Sequence, residues 1–572
     1  MALSRREFLG ISGVTLSTTL VQAQAEQGWV EDTLTAMSLE EKVGQLLFPV
    51  TSGVFKNVGS EEFEKIRLDL TDYHVGGYHI GRGDPAAVAL LTNDLQRIAK
   101  VPLLMTADLE AGAGLIYPNA TRLPSAMALG AVDDEDRIHL AGKITAEEGR
   151  ALGIHVSFHP VADVNNNPRN PIINIRSFGE DVEKVSRFTA AYIRGIQENG
   201  QIATAKHFPG HGDVSVDSHL ELPVLDVDRE RLNSLELPPF RAAIQQGVGA
   251  IMTAHIYVPQ IEPQPGVPAT LSHSLLTGVL RRELRFDGII FTDAMDMRAI
   301  SANFGIGDAG VRAIEAGADV ILFPVDTAIC LTAIRDAVIS GRVTRARIDE
   351  SVRRILRAKT KLDLHRNRFT DVERVTKVVG SAENERFARE VIEAAVTLVR
   401  DDNHVTPLRP SDSRVFSVNI LDRRDGWREG SIGITLNAEL MKRFPRVVTA
   451  QIDDQSSPGE LEMAKKLANE ADAVLVNGFA RVAAYKGSTN FNDAQLSLIR
   501  YLATSTKPMV FTMFGDPYLL LSIPELPNYI LVYDTHPAAE RAAVRAMTGE
   551  INYRGRLPIS LPGLYPIGHR LQ

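Results

Sequence analysis

Eight short apolar segments, separated by longer amphipathic ones, restrict the folds open to the first part of the chain. They span residues 46–50, 75–80, 102–107, 155–161, 202–206, 250–255, 288–292 and 319–323. Short apolar runs predict buried strands, and amphipathic segments such as 86–99 and 134–152 predict covering helices. Eight strand–helix units of this spacing are typical of a TIM-type (β/α)8 barrel. An open, doubly wound sheet is the alternative that the same alternation permits.

Titratable side chains stand at the carboxyl ends of five of these predicted strands. They are Asp108, Asp163, Lys206 with His207, His255 and Asp293. In a barrel the carboxyl ends of all strands meet on one face, and that face carries the active site. Polar residues often follow strands, which explains one or two such positions more easily than five. The pattern therefore predicts an active site on this face.

A second α/β unit follows the barrel. Its five predicted strands are residues 415–421, 447–452, 473–479, 509–515 and 529–533, with helical segments such as 458–470 between them. This alternation predicts five parallel strands covered by helices, an α/β sandwich. A helical pattern at 343–364 closes the first unit, and the polar stretch after it predicts a linker. We therefore expect a catalytic barrel at 26–364, a linker at 365–380 and a sandwich domain at 381–572.

Residues 1–25 have the pattern of a twin-arginine signal peptide. Arg5 and Arg6 precede an apolar run at 9–20, and Ala23-Gln24-Ala25 provides a cleavage site. The apolar run is shorter than the roughly 20 residues of a membrane span, so no span is expected. The expectation is export of a folded protein to the periplasm or the medium, with cleavage after Ala25.

Composition excludes several classes of partner and site. The net charge of -9 argues against nucleic acid, whose phosphates require basic surfaces. Cys330 is the single cysteine, so an internal disulfide and a cysteine-based zinc site are both excluded. Nothing in the composition indicates the oligomeric state.

The loop after the fifth predicted strand concentrates polar chemistry. Residues 205–219 read A-K-H-F-P-G-H-G-D-V-S-V-D-S-H, and the proline and glycines break regular structure. Asp217 precedes His219 by two residues, a spacing that lets a carboxylate orient an imidazole whose pKa suits proton transfer. An Asx turn with an exposed histidine is the structural alternative. A metal site built from the histidines and aspartates of this loop is the other, but their spacing matches no known ligand pattern, and no metal is expected.

Three further residues stand out near predicted strand ends. Asp293 could attack a sugar anomeric carbon or bind a metal. Asp108 precedes a glycine-rich turn and could accept hydrogen bonds from hydroxyl groups. Arg176 could form a fork onto a carboxylate or carbonyl, or pair with Asp163 as part of the scaffold.

Together these segments resemble glycoside hydrolase family 3. The heptapeptide K-H-F-P-G-H-G at 206–212, with D-S-H at 217–219, is similar to the signature of its β-N-acetylglucosaminidase branch, the NagZ-like enzymes. Segments 268–272, 292–295 and 555–562 resemble later parts of family members, so the likeness extends along most of the chain. One departure concerns the strand-three segment, where many relatives have an arginine after two glycines. Here Glu110 is followed by Ala111-Gly112-Ala113, and that arginine is absent.

The resemblance implies a retaining mechanism without a metal or organic cofactor. Asp293 matches the nucleophile, His219 the acid/base and Asp217 the residue that orients it. The sugar-binding positions of the family correspond to Asp108, Arg176, Lys206 and His207. The expected activity is exo-hydrolysis of terminal β-linked N-acetylglucosamine from cell-wall or chitin-type oligosaccharides. β-Glucosidase activity, phosphorolysis of β-N-acetylglucosaminides and a non-catalytic, exported glycan-binding role are the alternatives.

Overall fold

A computed structural model describes residues 26–409, 411–421, 432–481, 486 and 491–571. The predicted signal peptide, residues 1–25, lies outside the described residues. Two separate sheets organise the chain, one of seven strands continued by a two-stranded pair, and one of six strands. No helix in the described ranges is long and apolar enough to cross a membrane.

The first sheet curls into a barrel. Its strands are β1 (Leu47–Phe48), β2 (Val50–Thr51), β3 (Gly77–Ile80), β4 (Leu104–Ala107), β5 (Val156–Ser157), β6 (Ile202–Phe208), β7 (Ala250–Thr253), β8 (Ile289–Phe291) and β9 (Ile321–Leu322). β2 to β8 pair in sequence order and in parallel, and β1 pairs with β9. A parallel bridge from Phe291 to Val320 joins β8 to the segment that enters β9. Because β1 and β2 are consecutive parts of one extended segment, these pairings close the sheet and confirm the predicted barrel.

Helices cover the outside of the barrel. They are 26–36, Leu39–Gly44, Glu61–Thr71, Pro85–Ile98, Ala126–Val132, Glu135–Ala151, Val182–Glu198, Arg229–Arg231, Pro238–Gln245, Arg298–Ser301, Ile306–Ala316, Thr327–Ile339 and Arg345–Lys361, with π-helical turns at Leu232–Glu236 and Ser274–Glu283. Short 3₁₀ turns lie at Ala113–Leu115, Asn174–Arg176 and Ala269–Leu271.

The helix Val182–Glu198 shows why these sequences form helices at these places. Asp181 caps its start, where the side chain accepts a hydrogen bond from the Lys184 N–H. Phe188 and Tyr192, four residues apart, are both buried against the barrel. Burial of each such side chain contributes about 1.5–3 kcal/mol. Since the strands are covered on both faces, most of their residues are apolar, as predicted from their sequence, and the titratable side chains Lys206 and His207 lie near the carboxyl end of β6.

The second sheet has six strands. They are β10 (Thr397–Asp401), β11 (Val415–Leu421), β12 (Val447–Ile452), β13 (Ala473–Ala480), β14 (Met509–Gly515) and β15 (Asn528–Val532), in the order β10-β15-β14-β13-β11-β12. β11 to β15 are parallel, as predicted, but β10 adds an antiparallel edge strand that the prediction of five strands missed. β10 follows the helix Ala382–Ala395 almost directly, so its apolar residues extend the helical pattern. The other helices of this domain are Ile434–Arg443, Pro458–Glu470, Asp493–Ala503, Leu519–Ser522 and Pro537–Met547.

The second domain packs on the barrel loops that follow β4 and β5. Ser125 Oγ donates a hydrogen bond of 2.6 Å to the Tyr533 carbonyl. Asn165 Nδ2 donates to the Tyr518 hydroxyl at 2.7 Å, and Asn174 Nδ2 donates to Asp516 Oδ1 at 3.1 Å. The stretch 365–380 between the two units contains a helix, Val372–Val378. The second domain therefore supports the loop on which Arg176 lies.

A buried ion cluster fastens the amino end of β9. Asp319 is fully buried; its carboxylate accepts hydrogen bonds from the Arg281 and Arg354 guanidinium groups and, at 2.6 Å, from Ser351 Oγ. Burial by itself would raise the pKa of Asp319, but Arg281, Arg347 and Arg354 hold it below its usual value. One carboxylate thus ties the last barrel strand to two outer helices.

We predict that Asp319→Ala lowers the free energy of unfolding by about 3–5 kcal/mol, because it leaves buried arginines without a counter-charge. The control is Asp336→Ala, which removes an exposed ion-pair partner of Arg335. It changes the free energy of unfolding by less than about 1 kcal/mol. The pKa of Asp319 is lower in the folded than in the unfolded chain. The stability lost in Asp319→Ala is therefore fully expressed at neutral pH and becomes smaller as the pH falls through the folded pKa. Urea unfolding of both variants measures this, and equal losses would contradict the role of the cluster.

Candidate active site

A cavity of about 670 Å³ opens on the carboxyl face of the barrel. Six of the seven predicted site residues line it: Asp108, Arg176, Lys206, His207, His219 and Asp293. The seventh, Asp217, is buried directly behind His219. Apolar side chains complete the wall, among them Phe158, Ile172, Ile173 and Phe323, which were not predicted. The structure therefore brings the predicted residues, from three different strand ends and two loops, to one place.

Asp293 stands just beyond the end of β8, and its backbone is fixed on both sides. Its N–H donates to Thr253 Oγ1 at 3.2 Å, and its Oδ1 accepts a hydrogen bond of 2.8 Å from the Ala294 N–H. Burial would raise the pKa of Asp293, but the neighbouring His255, His207 and His219 and the Ala294 N–H keep it lowered. The carboxylate is therefore ionised near neutral pH, the state that a nucleophile requires.

His219 and Asp217 form a hydrogen-bonded pair. His219 Nδ1 lies 2.7 Å from Asp217 Oδ1, and the same oxygen accepts the His219 N–H at 2.9 Å. The sequence left open whether Asp217 orients the His219 ring or forms an Asx-type turn. In the structure it does both. With Nδ1 turned to a buried carboxylate, the Nε2 edge is the one that points away from Asp217. This arrangement matches the orienting half of a hydrolytic triad.

The loop that carries this pair is held at several points. Asn170 Nδ2 donates to the carbonyls of His211 and Gly212, at 2.8 and 2.9 Å. His211 Nε2 lies 3.1 Å from Ser218 Oγ, between Asp217 and His219 in the sequence. Arg231, from the barrel helices, donates to Asp213 Oδ2 at 2.8 Å. Because Asp213 serves this ion pair, it is not available to the metal cluster considered from the sequence.

A network of charges lies on the other side of the cavity. Arg176 binds Glu110 with two hydrogen bonds of 2.9 and 2.8 Å. Lys206 Nζ lies 2.7 Å from Glu110 Oε1 and 2.9 Å from Asp108 Oδ1. Burial opposes ionisation of Glu110, yet Arg176 and Lys206 hold its pKa well below the usual range. Arg176 therefore pairs with Glu110 and not with Asp163, the scaffold partner suggested by the sequence.

Glu110 and His79 are site residues that the sequence analysis missed. Glu110 follows Asp108 by two residues, so alternation along an extended segment was a signal for it. His79 Nε2, from the end of β3, lies 3.7 Å from Asp108 Oδ2. Burial lowers the pKa of His79 to about 4, so this imidazole is neutral, and its Nδ1 lies 3.2 Å from Thr106 Oγ1. The sequence did not indicate a role for His79, because a single histidine within a buried strand is common.

Asp163 is completely buried beneath the cavity and orients His207. Its carboxylate lies 2.8 Å from His207 Nδ1 and accepts the His211 N–H at 2.7 Å. His207 Nε2 then lies 3.4 Å from Arg176 Nη2 at the cavity wall. His255, the remaining strand-end residue, is buried as well and contacts the Ala294 carbonyl at 2.9 Å, beside Asp293. Both residues position others and do not line the cavity.

The segment 110–113, which follows β4 and lacks the arginine expected from the resemblance, is well packed without it. Ala111 and Ala113 are buried, and Gly112 has a positive φ of 70°, which suits glycine. Arg176 is the one arginine among the described residues that line the cavity. In the described part of the chain, no three His, Cys, Asp or Glu side chains are grouped so that they could hold a metal ion.

Comparisons with known proteins identify the family of this chain. The profile of the glycosyl hydrolase family 3 N-terminal domain matches residues 38–358. A β-N-acetylglucosaminidase/β-glucosidase of Cellulomonas fimi is 30% identical over 552 residues, covering 93% of this chain and 95% of that protein. The solved family 3 β-N-acetylglucosaminidase from Paenibacillus sp. str. FPU-7 is 34% identical with a TM-score of 0.81, covering 92% and 99% of the two chains. The β-glucoside phosphorylase BglX is 26% identical with a TM-score of 0.83, covering 94% and 96%.

The match of the profile covers more than half of the chain, and the similarity to the Cellulomonas protein extends over nearly all of both sequences. The fold, with a parallel barrel and a separate mixed sheet, is the one these solved relatives share. This chain belongs to glycoside hydrolase family 3.

Proposed function

We propose that the protein is a retaining exo-glycosidase that hydrolyses terminal β-linked N-acetylglucosamine through a covalent glycosyl-aspartate. The observation that carries this proposal is the presence of an ionised Asp293 and an oriented His219 in the same cavity. A carboxylate nucleophile and a separate proton donor are the two groups that a retaining glycosidase needs. Relatives of this chain with β-N-acetylglucosaminidase activity in their names support the choice of sugar.

The two groups divide the reaction between them. Asp293 attacks the anomeric carbon while the imidazolium of His219 protonates the departing glycosidic oxygen. The ring is then neutral and takes a proton from the incoming water, which cleaves the glycosyl ester of Asp293 and restores both groups. Asp217 holds Nδ1 throughout and stabilises the imidazolium form. Neither step requires a metal or organic cofactor.

The charge network opposite the nucleophile fits the hydroxyl groups of a sugar ring. Asp108 offers carboxylate acceptors and Lys206 an ammonium donor, and the two bind each other; His207, held by the buried Asp163, presents its Nε2 edge. Arg176 is held by its two bonds to Glu110, so its position does not depend on substrate. Groups that are fixed before binding lose little entropy when the sugar arrives.

Phosphorolysis is a second candidate activity. After it donates its proton, His219 is neutral, so the acid/base itself adds no negative charge that would repel an incoming phosphate, as a carboxylate in its place would. The similarity of this chain to a β-glucoside phosphorylase supports testing for this activity. In that case phosphate replaces water in the second step, and the product is a glycosyl phosphate.

We predict that Asp293→Ala lowers kcat/KM by about 10⁴-fold or more, because no other group can form the covalent intermediate. His219→Ala lowers it by about 10²–10⁴-fold for a disaccharide and less for a nitrophenyl glycoside, whose leaving group needs no proton. Asp287→Ala and His139→Ala, which remove exposed side chains outside the cavity, are the matched controls.

The assay compares the nitrophenyl β-glycosides of N-acetylglucosamine and glucose, each with and without phosphate. Faster release from the N-acetylglucosaminide, unaffected by phosphate, is the expected outcome. Preference for the glucoside, or a glycosyl phosphate product, would replace the proposal with one of its alternatives. Near wild-type turnover of a disaccharide by either catalytic variant would end it.

We further propose that residues 1–25 direct export of the folded protein by the twin-arginine route. The motif of Arg5 and Arg6, followed by the apolar run, supports this. A folded two-domain chain with a single cysteine needs no oxidative step after export.

Replacing Arg5 and Arg6 by lysine tests the export proposal, because it preserves charge and removes the motif. We expect the glycosidase activity to move from the periplasm or medium to the cytosol, as measured by cell fractionation against a cytosolic marker enzyme. Unchanged distribution of the activity would contradict this route.

A further inference from the structure

A second, larger cavity adjoins the sugar pocket on the same face of the barrel. It encloses about 1190 Å³ and lies between the end of β2 and the segment that follows β9. Phe323 lines both cavities, so they share a wall. Asp296 also lines the second cavity and stands three residues after Asp293 on the same segment. The part of a substrate that extends out of the sugar pocket past Asp293 can therefore enter this second cavity.

The charged side chains of this cavity are mostly acidic. Four carboxylates, Glu62, Asp69, Asp296 and Asp326, line it together with one ammonium group, that of Lys65. No arginine or histidine is among the described residues that line it. Glu62 forms an ion pair with the buried Lys56, with 3.1 Å between Glu62 Oε1 and Lys56 Nζ. The surroundings therefore repel an anion and attract a neutral polyol or a cation.

Asp296 is the carboxylate of this cavity that stands on the same segment as Asp293. It interacts electrostatically with both Asp293 and His219. Burial and the charge of Asp293 raise its pKa, while the neighbouring His219 and His255 lower it. Asp296 thus links the segment of the nucleophile to the second cavity, whose wall at Phe323 is shared with the pocket that contains His219.

The rest of the lining suits a sugar ring. Val50 and Val325 are about half exposed at 49% and 48%, and Leu68 is 38% exposed. Two prolines and two tyrosines also contribute to the wall. Apolar side chains contact the C–H faces of sugars, and carboxylates accept hydrogen bonds from their hydroxyl groups. Glycan sites combine these two kinds of surface, whereas a purely apolar groove does not.

We infer that this cavity is the leaving-group site and that it selects neutral or cationic sugars, such as N-acetylglucosamine or glucosamine, over sugars that carry a carboxylate. This inference rests on the proposed function and refines it. Of the two substrate sources considered from the sequence, it favours chitin-type chains, whole or partly deacetylated. It disfavours cell-wall chains whose leaving sugar is N-acetylmuramic acid with an ionised lactyl group.

The test uses disaccharides with one common terminal sugar, the one preferred in the nitrophenyl assay. The leaving sugar is N-acetylglucosamine, glucosamine, N-acetylmuramic acid or the methyl ester of N-acetylmuramic acid. The ester keeps the bulk of the lactyl group and removes its charge. We expect kcat/KM for the ester to exceed that for the acid by at least about tenfold, because like charges face each other only in the acid.

Asp296→Asn should narrow the ester-to-acid ratio by about three- to tenfold, because one of the facing charges is gone. Glu64→Gln, which removes a carboxylate from the same helix as Glu62 but outside the cavity, should leave the ratio unchanged. Higher ionic strength should also narrow it in the wild type. Equal rates for acid and ester, or equal ratios in the two variants, would overturn the inference.

Binding of acid and ester to the Asp293→Ala variant, measured by calorimetry, separates this inference from the proposed function. Tighter binding of the ester supports the acidic site even if turnover proves to be phosphorolytic. Equal affinities refute the site while leaving the catalytic proposal intact. Absence of glycosidase activity in the wild type, with the affinity difference retained, would refute only the proposed function.

Discussion

The carboxylate of Asp163 is the interaction on which the rest of the site depends. It is fully buried at the end of β5, where an ionised group is stable only if several donors surround it. It receives the ring of His207 and the backbone N–H groups of His207 and His211. These contacts join the strand end that carries Lys206 to the loop that carries His219. Both sides of the cavity, the one with Lys206 and His207 and the one with His219, are thus positioned by one buried charge.

Opposite charges balance each other elsewhere in the cavity. Glu110 lies between Arg176 and Lys206, and Lys206 also binds Asp108, so each charge has a fixed partner before substrate arrives. The second domain contributes to this order without lining the cavity among the described residues. Its Asp516 and Tyr518 hold the loop that precedes Arg176. The second domain therefore helps to fix the position of Arg176 in the cavity wall.

Much of this arrangement followed from the sequence because it depends on local patterns. Apolar runs identified all eight barrel positions, and the position of Asp293 and His207 at strand ends placed them on one face. The pairing of Arg176 with Glu110 did not follow, since it joins residues 66 apart whose contact depends on loop conformation. The edge strand β10 was hidden because it continues a helical pattern. The second cavity could not be foreseen either, since it is formed by side chains from β2, β3, the helix Glu61–Thr71, the segment of Asp296 and the segment after β9.

The central claim is that Asp293 becomes covalently bonded to the sugar. Incubation with a 5-fluoro glycosyl fluoride of the preferred sugar slows breakdown of the intermediate and allows it to be weighed. Intact mass spectrometry should show one added glycosyl unit, and peptide mapping should place it on Asp293. An adduct on a different residue, or turnover with inversion at the anomeric carbon and no adduct, would contradict the account.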